Sequence, residues 1–191
     1  MNALIDNAEG LGRDYMAMAM AFSYPGQDIW RRLVEAGMLS PDITQEELET
    51  EYLAAFETGR DGKPLSLFEG VNRPEQGRDG ILQELLRFYE FFDAKLNEND
   101  RDYPDHLVTE LEFLAWLCLR EQAADGNGGD ATPFRCAARD FLDRHLATWL
   151  PEFQRKLEAT GTAYSEYGAV LGDLVLRHRS QLDEQANRLE N

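Results

Sequence analysis

Apolar residues recur along this chain at the three-to-four residue spacing of helices. No stretch alternates with period two for long enough to make a convincing strand. Leu11, Tyr15, Met18 and Phe22 form the first stripe, and Tyr24-Pro25-Gly26 stops it, because proline removes a donor and restricts the residue before it. A short helix around Ile29 and Leu33 is expected to end at Gly37. Thr44, with Glu47 three residues later, has the pattern of a reciprocal capping box. It opens a helix whose buried side is Leu48, Tyr52, Ala55 and Phe56. Residues 81–96 carry Ile81, Leu85, Tyr89, Phe92 and Leu96 on one face, with Leu82 and Leu86 beside them.

After a polar break from Asn97 to Asp102, Pro104 suits the first turn of a helix striped by Leu107, Leu111, Leu114 and Cys118. The run Asp125-Gly126-Asn127-Gly128-Gly129-Asp130 is a loop, after which Thr132 can cap a helix and Pro133 can occupy its first turn. That helix packs through Phe134, Ala138, Phe141 and Leu142. Pro151 is placed at the opening of a further helix that ends at Gly161, and the last helix carries Tyr164, Tyr167, Leu171, Leu174 and Leu182. Two regions break the rhythm. Residues 58–79 form a long irregular loop rich in glycine and proline, a length that is more often functional or mobile than a simple turn. Residues 183–191 are a polar tail expected to fray. The expectation is an all-α, single-domain bundle of about eight to ten helices over residues 1–191.

Composition narrows the chemistry. With 43% hydrophobic and 29% charged residues in 191, the chain is globular and large enough for a continuous core. Lys and Arg total 19 against 36 Asp and Glu, a formal net charge of -17 that repels phosphate backbones and attracts basic peptides. No stretch approaches the roughly 20 apolar residues of a membrane span. Asp6 and Glu9 precede the Met/Ala-rich segment, the wrong order for a secretory signal, which points to the cytoplasm. Cys118 and Cys136 form no metal-type pair and are expected to be reduced, packed thiols. His106, His145 and His178 fall in three separate helical patterns with no i, i+4 pairing, and no phosphate-cradling loop follows a strand. No catalytic residue, metal ligand or cofactor is therefore assigned. An enzyme remains conceivable only with a site assembled from scattered residues.

One constellation stands apart: Tyr103-Pro104-Asp105-His106 at a loop-to-helix boundary, followed by Glu110 and Glu112. Asp105 near a helix N-terminus can accept backbone N–H groups, and His106 changes protonation near neutral pH. The pair reads either as a cap with a packing histidine or as a polar contact point beside a groove. Most aromatics at helical spacing, such as Tyr89, Phe92, Phe141 and Trp149, are core. Leu65 and Phe68 lie in the loop, where a core role is harder to assign, and they are candidates for a groove that takes an apolar peptide helix while an acidic rim holds flanking arginines.

Phe22-Ser23-Tyr24-Pro25, Tyr52 with Phe56, Tyr103-Pro104-Asp105-His106, Glu110 to Ala115, and Phe141, His145-Leu146, Trp149 and Phe153 occur in an order that resembles the DmsD/TorD/NarJ family of molybdoenzyme-maturation chaperones. The resemblance covers nearly the whole chain and looks closest to the branch serving nitrate-reductase-like and dimethyl-sulfide-dehydrogenase-like enzymes. It implies a cytoplasmic, non-catalytic protein that binds the N-terminal, often twin-arginine, leader of a catalytic subunit until the molybdenum cofactor is inserted. Carried onto this chain, it points to Asp105 and His106 first, then to Pro104, Phe56 and Pro64. A tryptophan often found in the loop is absent, and Leu65 and Phe68 occupy that region. The leader's two arginines are expected to meet carboxylates near Asp105. A permanent assembly or structural subunit of a redox complex is the rival reading. A monomer and a domain-swapped dimer both fit, and the sequence leaves guanine-nucleotide or molybdenum-cofactor binding open.

Overall fold

The computed structural model describes residues 7–59, 62–96 and 103–189, with side chains to residue 187. Nine α-helices are found among them and no strand: α1 (Ala8–Phe22), α2 (Gln27–Glu35), α3 (Gln45–Tyr52), α4 (Glu69–Asn72), α5 (Arg78–Phe91), α6 (Leu107–Gly126), α7 (Thr132–Arg144), α8 (Leu146–Thr160) and α9 (Tyr164–Leu189). The all-α bundle follows from the period-3.6 stripes, each of which finds the core. Leu11, Tyr15, Met18 and Phe22 are all buried on α1, and Leu107, Leu111, Leu114 and Cys118 on α6. α6 is the central element. It lies along α1, with α7 on its other side, and α8 and α9 close the bundle.

Local chemistry sets most boundaries. α1 ends ahead of Pro25. α3 opens with the capping box, in which Thr44 Oγ1 accepts the Glu47 N–H and the Glu47 side chain accepts the Thr44 N–H. This helix then widens into one π-helical turn, Leu53–Glu57, that carries Phe56 inward. Phe56 joins a cluster of edge-on and stacked rings with Phe22, Tyr52, Phe153 and Tyr164. Burial pushes the Tyr52 hydroxyl up to about 12.

Several expectations are corrected. Pro104 is not in the first turn of α6, which starts at Leu107 with His106 as its cap. Thr132 is the first residue of α7 and not its cap; its N–H goes to the Asp130 carboxylate. Pro151 lies inside α8, because the chain turns earlier, at His145. α5 runs from Arg78 to Phe91 in place of the expected 81–96, and Leu86 on it is exposed. The polar segment from Asp183 continues α9 as helix to Leu189, with the buried Leu182 and the Arg139–Asp183 ion pair at 2.9 Å joining it to the bundle. Cys118 is buried, whereas Cys136 is exposed. The polar break at 97–102 and the signal reading at Asp6 fall outside the described residues.

Residues 58–79 depart most from expectation. Instead of one open loop, residues 65–68 run extended with alternate residues inward, Leu65 and Leu67 buried and Ser66 and Phe68 half-buried, and Glu69, the first residue of α4, is buried as well. α4 and a 3-10 turn, Pro74–Gln76, then lead directly into α5. Leu65 is therefore core, its N–H bonded to the Ala55 carbonyl of the π-helical turn.

Candidate functional site

The extended segment 65–68 and the first residue of α4 pair with the Tyr103–His106 turn. The Leu107 N–H donates to the Leu67 carbonyl and the Glu69 N–H to the Asp105 carbonyl, both at 2.8 Å, so Phe68 and His106 face each other in an antiparallel bridge. On the outward side Phe68 meets Tyr103 and His106 edge-on, with ring centroids at 5.6 and 4.9 Å. The Arg78 guanidinium sits 5.3 Å from the Phe68 centroid. Tyr103 is half exposed, and Phe68, Pro104 and His106 are partly so. The His106 Nδ1 accepts the Val108 N–H at 3.2 Å, so the neutral ring carries its proton on Nε2.

Asp105 plays a different part from the one its position suggested. It does not cap α6. Its carboxylate is fully buried and takes Arg78 through two bonds, at 3.0 and 3.1 Å, together with a long contact from the Gly70 N–H at 3.4 Å. A Cβ on Gly70 would stand 2.9 Å from the Asp105 Oδ2 and 2.5 Å from the Arg78 Cγ, so only glycine lets the segment lie this close. Half of the Arg78 side chain remains open to solvent. An arginine from another molecule can reach the Asp105 carboxylate only by displacing Arg78.

Behind this surface lies a buried polar group. Glu69, with no exposure, pairs with Arg73 and with His145 Nδ1 at 3.0 Å. Arg73 also donates to the Arg144 carbonyl at 2.8 Å, which ties α4 to the break between α7 and α8. The His145 Nε2 is buried without a hydrogen-bond partner, 3.9 Å from a Glu84 oxygen. Glu110, also fully buried, receives the Trp149 indole N–H at 3.4 Å. Desolvation, reinforced by the nearby Glu69 charge, raises its carboxyl well above the usual range. Tyr89 completes the turn by donating its hydroxyl to the Pro104 carbonyl at 2.8 Å.

Of the residues singled out in the sequence, the structure brings Pro104, Asp105, His106 and Phe68 together. Phe56 and Leu65 lie beneath in the core, and Pro64 is exposed at the start of the extended segment. Glu69, Arg73, Arg78 and Gly70 were not singled out. The Glu69/Arg73 spacing of four is a signal that existed; Arg78, 27 residues from Asp105, offered none. No group of three metal-ligating side chains occurs among the described residues. An open cleft of about 680 Å³ separates α5 from α7, lined by Phe88, Phe91 and Phe92 on one wall and Cys136 and Asp140 on the other. No helix is long and apolar enough to cross a membrane among the described residues.

The sequence matches known proteins. The profile of the nitrate reductase delta subunit family matches residues 20–155, which contain the whole surface described above. The chain is 67% identical over 189 residues to the selenate reductase assembly chaperone protein of Thauera selenatis, covering 99% of this chain and 98% of that one. It is 61% identical over 188 residues to the chlorate reductase assembly chaperone protein of Ideonella dechloratans, covering 98% and 97%. A more distant relative, the dimethyl sulfide dehydrogenase assembly chaperone protein of Rhodovulum sulfidophilum, is 35% identical over 157 residues, 69% of this chain and 63% of that one. The chain belongs to the nitrate reductase delta subunit family, among the chaperones of redox-enzyme maturation.

Proposed function

We propose that this chain is a cytoplasmic, system-specific assembly chaperone that holds the N-terminal leader of a molybdenum-containing catalytic subunit while the cofactor is inserted. The leader is of the twin-arginine type, and the chain itself catalyses nothing. The observation that carries this reading is the bridge between Phe68 and His106, which builds one aromatic, partly exposed surface from two distant segments. A leader combines an apolar stretch with positive charge. Phe68, Tyr103 and Pro104 offer apolar contact, and exposed Glu75 and Asp79 beside Arg78 offer negative charge on a chain of net charge -17. Asp105, already occupied by Arg78, acts here by shaping the surface from beneath.

Calorimetric titration with synthetic leader peptides from molybdoenzyme catalytic subunits, at low and high salt, tests this. Saturable binding that weakens with salt, and weakens further in Phe68→Ala and His106→Ala, is the expected result. Equal affinity in both variants removes this surface from the site. Absence of binding to every leader removes leader recognition and favours contact with the folded client or a permanent place in its complex.

A further inference from the structure

The two backbone bonds that join residues 65–69 to the Tyr103–His106 turn carry no sequence information. They would form equally well if the extended segment slid by two residues, a shift that keeps inward residues inward. Leu65 and Leu67 do little to prevent this, since one leucine can stand in another's place against an apolar core. α4, at four residues, is too short to hold itself. Glu69 differs from the other inward residues because its site is not interchangeable. A leucine there would leave the His145 Nδ1 without its acceptor, and Glu69 moved against the apolar core would carry Arg73 with it, away from the Arg144 carbonyl, and bury its charge without the His145 contact. A buried carboxylate is a costly way to gain stability, yet it discriminates sharply between registers.

We propose that Glu69 is the positioning residue of the exposed surface: clasped by Arg73 and His145, it fixes the register that sets the Phe68 ring against His106. The partners come from two directions. Arg73 lies one turn along on the same segment, and through the Arg144 carbonyl it is fastened to the end of α7. His145 sits at the α7–α8 break, where the chain changes direction, and is fixed by the Phe88 and Phe141 rings at 5.6 and 5.2 Å. The register of a surface segment is thereby referred to the centre of the bundle. Its bearing on leader binding rests on the reading above; the register claim does not.

The test uses Glu69→Gln, which keeps the shape and removes the charge, in the full chain. His145→Gln is the second variant should the first fail to fold. The His106 ring signals in NMR spectra read the register directly, because the Phe68 ring lies edge-on to it. In either variant these signals are expected to move towards their free-histidine positions. The backbone amide at position 69 and that of Leu107 should exchange at least about tenfold faster. Amides of α1 and α6 should keep their protection, and leader affinity should fall by about tenfold. Unchanged His106 signals and amide exchange overturn the proposal. So does an equal loss of protection throughout the bundle, which marks Glu69 as merely structural. Displaced His106 signals with undiminished leader affinity uphold the positioning role and count instead against the leader-binding reading.

Discussion

Tyr15 and His178 meet between α1 and α9, and Glu69 meets His145 between α4 and the α7–α8 break; both are buried histidine contacts, yet they are built on opposite principles. The Tyr15 hydroxyl and the His178 Nδ1 lie 3.0 Å apart in a buried contact between two side chains that carry no formal charge of their own when neutral. Burial pushes the His178 ring down to about 4 and is the largest cause that raises the Tyr15 hydroxyl, so both are neutral at physiological pH. At the other end charge is set against charge, Glu69 with Arg73, both buried, and the buried Asp105 with the half-exposed Arg78. The neutral pair sits in a helix-to-helix contact whose geometry long apolar stripes already determine. The ionic group sits where short segments with little apolar surface must be held in one arrangement. Where packing suffices, polar groups are neutralised; where it does not, charge specifies position.

The largest effect separating the two regions should come from the apolar end. Phe153, fully buried against Phe22, Phe56 and Trp149, is expected to cost about 3–5 kcal/mol on truncation to alanine. Urea unfolding measures this loss. Leader affinity of the molecules that remain folded should be unaltered, and a matching drop in affinity would erase the proposed division between scaffold and surface.

Next in size is the pH response of His178. In the unfolded chain histidine titrates near 6.5, whereas in the fold this ring accepts a proton only near 4. Between these values the unfolded state binds the proton that the folded state refuses. The contribution is thus present in full above about pH 6.5 and lost as pH falls towards 4, by roughly 3 kcal/mol. His178→Gln should flatten that slope in denaturation curves taken at pH 7 and pH 5. An unflattened slope would mean that the ring takes its proton as readily in the fold as in the unfolded chain.

A smaller effect is expected from Asp105→Asn. The variant leaves Arg78 without its carboxylate, but that side chain can turn into water, so the loss of stability should be about 1–2 kcal/mol. Leader affinity should fall by about tenfold, roughly 1.4 kcal/mol, because the Phe68 ring loses the guanidinium that lies over it. Full affinity in this variant would show that the ionic end has no part in recognition.

The same contrast explains what the sequence could tell. The apolar end was legible: the stripes of α1, α6 and α9 and the capping box at Thr44 follow from spacing within one segment. The Pro104-Asp105-His106 run was legible as a special place for the same reason. Its working parts were not. Arg78 and Gly70 are defined by contacts with Asp105 across 27 and 35 residues, and no local pattern encodes such a contact. Leu65 was misjudged because glycines and prolines around it hid a four-residue extended stretch, too short to show period two. Pro151 misled because the turn into α8 is made at His145, by a polar contact with Glu69, and helix geometry alone does not reveal it.

The subtlest probe concerns Glu110, which belongs to the ionic end by location and to the neutral one by character. Its burial and the adjacent Glu69 charge raise its carboxyl far above the value near 4.5 that it has in the unfolded chain. The sign is opposite to that of His178. The stabilising contribution is complete below about pH 4.5, where both states are protonated, and is lost as pH rises towards the folded value, because only the unfolded state releases its proton there. Glu110→Gln removes that penalty and keeps an acceptor for the Trp149 indole, although its amide, like one oxygen of the acid, gains no obvious partner. A gain of about 1 kcal/mol at neutral pH that vanishes near pH 4 is therefore expected from thermal unfolding. A loss at neutral pH would instead place Glu110 among the working charges of the site, making the ionic end a larger network than its four close partners.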